Sequence, residues 1–173
     1  MIRTVLMSAV GALALTFAAH AAPGDKAAAE VKGLEGQVLG TVTLTETAQG
    51  VLLTGELSQL SPGPHGFHIH AVGKCEPPFT SAGGHFNPDG KKHGFHDAAG
   101  SHAGDLPNIH ASSDGTAVVD GIANGLRLAG GAKSVLDQDG AAIVVHAKAD
   151  DYKTDPAGAS GDRIACGVIN KAQ

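Results

Sequence analysis

Val38-Leu39-Gly40-Thr41-Val42-Thr43-Leu44-Thr45, followed after the Ala48-Gln49-Gly50 turn by Val51-Leu52-Leu53-Thr54-Gly55-Glu56-Leu57, is the stretch that decides the fold. Val38, Gly40, Val42 and Leu44 alternate with Leu39, Thr41, Thr43 and Thr45, and Val51, Leu53, Gly55 and Leu57 repeat the pattern. Successive side chains of an extended chain point to opposite faces, so this alternation marks strands, and two such runs across a short turn predict an antiparallel hairpin. Outward from the hairpin, further strands are predicted at 116–122, 141–146 and 163–169, with turn signals at Asp89-Gly90, Asp114-Gly115 and Asp139-Gly140. With 25 glycines, few aromatic residues and almost no helical periodicity, the chain reads as all-β, packed as a sandwich or flattened Greek-key barrel. Two stretches, 71–110 and 150–162, resist assignment to strands; long loops inside a compact domain carry function or are disordered.

The first of these loops is rich in histidine. His68 and His70 lie two apart on a predicted strand, so they share a face while Phe67 and Ile69 take the other. His85, His93, His102 and Asp105 follow at intervals of eight, nine and three, among glycines and prolines that let the backbone fold them together. Three imidazoles and a carboxylate satisfy a tetrahedral zinc ion. His68 and His70 need further imidazoles to form the nitrogen-rich, near-planar set that copper favours, and His146, ending the Ala142-Ile143-Val144-Val145 strand, can contribute one. His65, His96 and His110 are left over, for loop hydrogen bonding or exposure.

The compartment follows from the first residues. Arg3, the apolar run Val5 to Ala19 and the Ala19-His20-Ala21 cleavage signal read as a signal peptide over residues 1–21, too short for a comfortable membrane span and with no cysteine after it for a lipid anchor. Residues 22–30 read as a flexible leader, and 31–173 as one domain. Removing Arg3 leaves 11 basic and 17 acidic residues, a formal charge of −6 against −5 for the whole chain. Without a basic stripe or an aromatic platform, nucleic acid is not an expected partner. An anionic substrate would have to be drawn in by locally positive groups. Cys75 and Cys166, 91 positions apart, read as one disulfide in an oxidising compartment, with two reduced buried thiols as the alternative. Closing so long a loop restricts the unfolded chain by about 4 to 5 kcal/mol on the entropic account.

Six blocks in order then resemble the bacterial exported copper/zinc superoxide dismutases: Gly66-Phe67-His68-Ile69-His70, Gly84-His85-Phe86-Asn87-Pro88, Lys92-His93-Gly94, His102-Ala103-Gly104-Asp105-Leu106, Val145-His146-Ala147-Lys148-Ala149-Asp150-Asp151, and Gly161-Asp162-Arg163-Ile164-Ala165-Cys166-Gly167-Val168-Ile169. The resemblance implies an immunoglobulin-like, eight-stranded Greek-key barrel or sandwich with two long functional loops. It implies copper on His68, His70, His85 and His146, zinc on His85, His93, His102 and Asp105, and so a bridging His85. Asp150 would accept hydrogen bonds from the outer nitrogens of His68 and His93, and Arg163 would face the substrate, with Lys148 and Lys153 adding to the field. The implied reaction is dismutation of superoxide by a copper redox cycle, with His85 leaving copper and taking a proton in the reduced half while zinc holds its other side. A homodimer in the periplasm of a Gram-negative bacterium is the expectation. Departures from the animal enzymes are a Cys75 closer to His68 and His70, a shorter stretch from Asp150 to Arg163, and Ala157 where many relatives have threonine. A copper-delivery domain of the same fold should lack a ligand or the arginine, and a zinc-only module would not need His68, His70 and His146.

Overall fold

The computed structural model describes residues 20–172; the expected signal peptide, apart from its last two residues, lies outside them. Among the described residues ten strands form one antiparallel sheet: β1 Lys26–Gly33, β2 Val38–Glu46, β3 Gly50–Leu57, β4 Gly63–His65, β5 Phe67–His70, β6 Ile109–Ala111, β7 Ala117–Asn124, β8 Ala142–His146, β9 Arg163–Val168 and β10 Asn170–Lys171. Their order is β4-β6-β7-β3-β2-β1-β9-β8-β5, with β10 added beside β1. The two ends of that path, β4 and β5, are separated in sequence by Gly66 alone, so one broken strand closes the sheet into a nearly complete barrel. Counting it once and omitting the two-residue β10 gives the expected eight.

Gly66 is the seam. Its N–H donates to Lys148 O (2.8 Å), and its carbonyl accepts from His146 N–H (2.8 Å). A Cβ here would lie 2.9 Å from Ser160 Cβ and 3.2 Å from His68 Cε1, so no larger residue fits without moving the site.

The predicted hairpin is β2 and β3, paired from Gly40↔Leu57 to Glu46↔Val51. Its alternation is broken once. In the β1–β2 ladder Val31 pairs with Gly40 but Lys32 with Val38, leaving Leu39 as an extra, bulged residue. A bulge reverses the phase of the strand beyond it, which is why Leu39 is buried while Val38 is 48 % exposed. The flexible leader is corrected in the same region: Lys26–Gly33 is a strand, with Ala27, Ala29 and Val31 fully buried. Small alanines pack on the barrel interior there but carry little strand propensity.

Phe67, Ile69, Ile143 and Val145 point into the barrel core. Alternation sends Ala142, Val144 and Cys166 outward, where Phe79 and Ala82 of the 71–108 loop cover them in a second, smaller apolar cluster. The Cys75–Cys166 disulfide ties that loop to β9, with a Cα–Cα distance of 5.6 Å. A third irregular stretch, 125–141, which the sequence did not single out, is anchored through buried Glu46, whose carboxylate accepts from Arg127 Nη1 and Leu128 N–H, both at 2.7 Å. Among the described residues no helix is long and apolar enough to cross a membrane.

Candidate metal centre

The same alternation that fills the core sets out the first three ligands. With Phe67 and Ile69 turned inward, His68 and His70 face outward from β5, and His146 does so from β8, paired alongside it. The 71–108 loop is then laid along β5 by backbone hydrogen bonds. Ile69 N–H donates to Gly104 O (2.9 Å), Phe86 N–H to Ile69 O (2.8 Å) and Ala71 N–H to Gly84 O (2.9 Å). These bonds set His85 beside His70 and Asp105 beside His68. His68 and His70 are thereby fully buried under the loop rather than exposed on a strand face.

Two groups of ligand atoms result, each with all members within 4.8 Å of one another: His68, His70, His85 and His146, and His85, His93, His102 and Asp105. In the first group the outer nitrogens are already committed. His68 Nε2 donates to Asp150 Oδ2 (2.7 Å), His70 Nδ1 to Gly83 O (2.9 Å) and His146 Nδ1 to Gly161 O (3.2 Å). Each such bond fixes a tautomer and leaves the opposite nitrogen as a bare lone pair. Those atoms, His68 Nδ1, His70 Nε2 and His146 Nε2, together with His85 Nε2, are buried without any hydrogen-bond partner. Four orphaned lone pairs converging on one point are costly unless a cation sits among them. Burial, reinforced by neighbouring imidazoles, depresses the pKa of His70 to about 2, of His146 to about 3 and of His68 to about 4, so all three are neutral ligands at ordinary pH.

The second group converges on one carboxylate oxygen. Asp105 Oδ1 lies 2.7 Å from His85 Nδ1, 3.1 Å from His93 Nδ1 and 3.2 Å from His102 Nδ1. Burial pushes the Asp105 carboxyl up, but hydrogen bonds from His85 and Gly94 N–H, with the nearby imidazoles, outweigh it and hold it at about 2. His93 is the informative ring, because its Nε2 also faces Asp150 Oδ1 at 3.0 Å. With Nε2 donating there, Nδ1 is a bare lone pair set against a carboxylate, an arrangement that a cation between them resolves. Three imidazoles and a carboxylate are a donor set for zinc, and four imidazoles one for copper.

Asp150 joins the groups, one oxygen to each, and Tyr152 N–H donates to it at 2.6 Å. Burial raises its pKa, but the bonds from His68, His93 and Tyr152 drive it well below the carboxylate range. Arg163 sits opposite His146 because Ile164 is bulged out of the β8–β9 ladder, where Val145 pairs with Ala165 and His146 with Arg163. Its guanidinium donates from Nη1 to Phe79 O and from Nη2 to Gly83 O, both at 2.6 Å. Among the described residues no ion pair joins it to Asp162. Gly83 O thus serves Arg163 and His70 together. Lys148 and Lys153 are exposed.

Sequence reasoning missed the parts that work through backbone. Phe79 presents its carbonyl from a left-handed conformation, φ 69°, with its ring fully buried against the disulfide cluster. Asn108 clasps the backbone of Asp150 both ways, Nδ2 to its carbonyl (2.9 Å) and Oδ1 from its N–H (2.8 Å). Gly158 packs on the Asp150 carboxylate so closely that a Cβ would collide with Oδ1. Only Gly158 left a trace, as a glycine in the Pro156-Ala157-Gly158 turn. Of the spare histidines, His65 is buried and spans two carbonyls, Nδ1 2.7 Å from His146 O and Nε2 2.7 Å from Ser61 O, while His96 and His110 are exposed.

The chain is similar to known proteins over most of its length. The copper/zinc superoxide dismutase family model matches residues 38–169. Superoxide dismutase [Cu-Zn] 2 of Aquifex aeolicus is 48 % identical over 147 residues, 83 % of this chain and 86 % of that protein. Superoxide dismutase [Cu-Zn] of Caulobacter vibrioides is 46 % identical over 147 residues, 83 % and 84 % of the two chains. The crystal structure of a SOD-like protein from Bacillus subtilis, 41 % identical, superposes with a TM-score of 0.78 over 82 % of this chain and 96 % of that one. Sequence similarity of this extent, on a barrel whose outer face gathers these two ligand groups, places the chain in the copper/zinc superoxide dismutase family.

Proposed function

We propose a division of labour among these residues in the family's reaction, in which two superoxide ions and two protons give one dioxygen and one hydrogen peroxide. His68, His70, His85 and His146 hold copper, and His85, His93, His102 and Asp105 hold zinc. Copper, when bound, supplies the one-electron redox chemistry that no side chain of the site offers. The observation that carries the assignment is the set of four buried, unpartnered imidazole nitrogens, because the fold alone is shared with a protein known only as SOD-like.

The remaining steps belong to the chain. His85 presents Nδ1 to the carboxylate group and Nε2 to the imidazole group, so Nε2 is where a proton needed for peroxide can be held and released. Arg163, fixed by two carbonyls, offers the incoming anion a preoriented cation in a protein whose formal net charge is −5. Lys148 and Lys153 add to that local field. Export under a signal peptide to the periplasm accords with the disulfide, and the working unit we propose is a homodimer without a membrane anchor.

Metal analysis of the purified protein together with a superoxide assay tests the assignment. One copper and one zinc per chain with activity is the expected result; copper without activity, or zinc alone, would overturn it. Arg163→Ala should keep both metals, lower the rate about tenfold and flatten its dependence on ionic strength.

A further inference from the structure

A metal site buried under a loop still needs a way in. The zinc-type ligands are shut off from solvent almost completely: the side chain of His93 is 0 % exposed, Asp105 1 % and His85 2 %. His102 alone stands out, at 7 %. Its edge, with Asp105, forms the floor of a cleft of about 330 Å³ between the 71–108 loop and the end of β7. A single water needs only about 10 to 15 Å³ of such space, so the cleft has room for a hydrated ion. Asp89 and Phe95 of the loop, Ile122 of β7 and Lys133 also line it.

Lys133 Nζ lies 2.6 Å from Asp89 Oδ2, both side chains about 40 % exposed. Lys133 belongs to the 125–141 stretch and Asp89 to the 71–108 loop, so this ion pair reaches across the cleft. Surface pairs of this kind are weak and screened by salt. The other approaches to the zinc group are closed by structure that should not open so easily. Asp150 backs His93, Gly158 packs on Asp150, and the fully buried His68 of β5 stands behind.

We infer that this cleft is the passage by which zinc reaches and leaves His102 and Asp105, with the Lys133–Asp89 pair as a salt-sensitive latch across its mouth. The inference rests on the assignment of those residues to zinc. A latch of this kind changes the rates of loading and release together and leaves affinity nearly unaltered.

The test is the rate at which the copper- and zinc-loaded protein gives up zinc to an excess of a chromogenic chelator, followed by absorbance. Lys133→Ala should speed release about two- to fivefold, the range that breaking an exposed pair allows. Added salt should speed the parent protein similarly and the variant no further. Ile122→Trp, which fills the cleft from an exposed position on the barrel, should slow zinc release, with copper retention and dismutase activity of the loaded protein unchanged. Release rates indifferent to all three changes would overturn the passage while leaving the zinc assignment intact. A starting protein without zinc would overturn the assignment, and the passage with it.

Discussion

His68, His70 and His146 stand on the outer face of two paired strands, whereas His93, His102 and Asp105 hang from a loop whose course is irregular from residue 71 to 108. The strand-borne rings alternate with Phe67, Ile69, Ile143 and Val145, which are locked in the barrel core, and their outer nitrogens are bound to Asp150, Gly83 and Gly161. The loop-borne groups are gathered around a single carboxylate oxygen at 2.7 to 3.2 Å, where their lone pairs need a cation. One half of the centre is therefore shaped by the fold before metal arrives, and the other is completed by it. His85 shares both conditions, a loop residue pinned to β5 by its neighbours' backbone.

The contrast can be broken by removing one ligand from each side. His146→Ala should lower activity by more than the roughly ten- to hundredfold that supporting residues command, while zinc and the amide protection of residues 84–105 persist. His102→Ala should release zinc and strip protection from that segment, yet leave copper on the strands with part of the activity. Equal loss of both metals from both variants, by metal analysis, would show that the halves are one cooperative unit.

Asp150→Asn attacks the connection instead. The carboxylate accepts from His68 and His93 with separate oxygens, and an amide can accept from one ring but presents an N–H to the other. Affinity for both metals should fall about ten- to hundredfold, measured by competition with chelators. A loss confined to one metal would identify which ring the amide still serves.

Acid should distinguish the halves in order. The strand-borne histidines, with pKa values depressed to about 4, 2 and 3 for His68, His70 and His146, resist protonation well below the unfolded value of 6.5. Their contribution to stability is complete above that value and is lost as pH falls towards those depressed values. His102 is lowered too, by burial first, but it is the ring that opens on the cleft. Dialysis in steps from pH 7 to pH 3.5 should therefore remove zinc before copper. Simultaneous release, or copper first, would contradict the ranking.

What the sequence made legible follows the same division. The β2–β3 hairpin, the strands around residues 117–124, 142–146 and 163–168, and the members of the two side-chain groups able to hold a metal could be read, because side-chain type and spacing carry that information. Strand β1 could not, since Ala27-Ala28-Ala29 packs by smallness and carries no apolar signature. Neither could the bulges at Leu39 and Ile164, which reset the phase of a strand through the partner it meets, although the second puts Arg163 opposite His146. Phe79 acts through its carbonyl, Asn108 through contacts with the Asp150 backbone, and the 125–141 stretch through the anchor on Glu46. A backbone carbonyl leaves no mark on residue identity, and the side chains of Asn108 and Glu46 have roles that appear only once the fold brings distant backbone to them.

Two adjacent residues of the Asp150–Arg163 loop give the finest test of how firmly the fold supports the centre. Gly158 and Ala159 both have positive φ, 65° and 51°. Gly158→Ala would drive a methyl into the Asp150 carboxylate and should disturb both metal groups, as is expected of Asp150→Asn. Ala159 is exposed, and its left-handed backbone costs about 1 kcal/mol that asparagine, which tolerates this region, largely avoids. Ala159→Asn should accordingly raise the unfolding midpoint by about 1 to 3 °C, measured calorimetrically, with metal content and activity unchanged. Glycine is the weaker remedy at the same position, because the freedom it adds to the unfolded chain returns about 0.4 to 1 kcal/mol. If Ala159→Asn stabilised the protein no more than Ala159→Gly, the strain at this residue would already be relieved by the turn, and the loop would be better fitted to Asp150 than its backbone angles indicate.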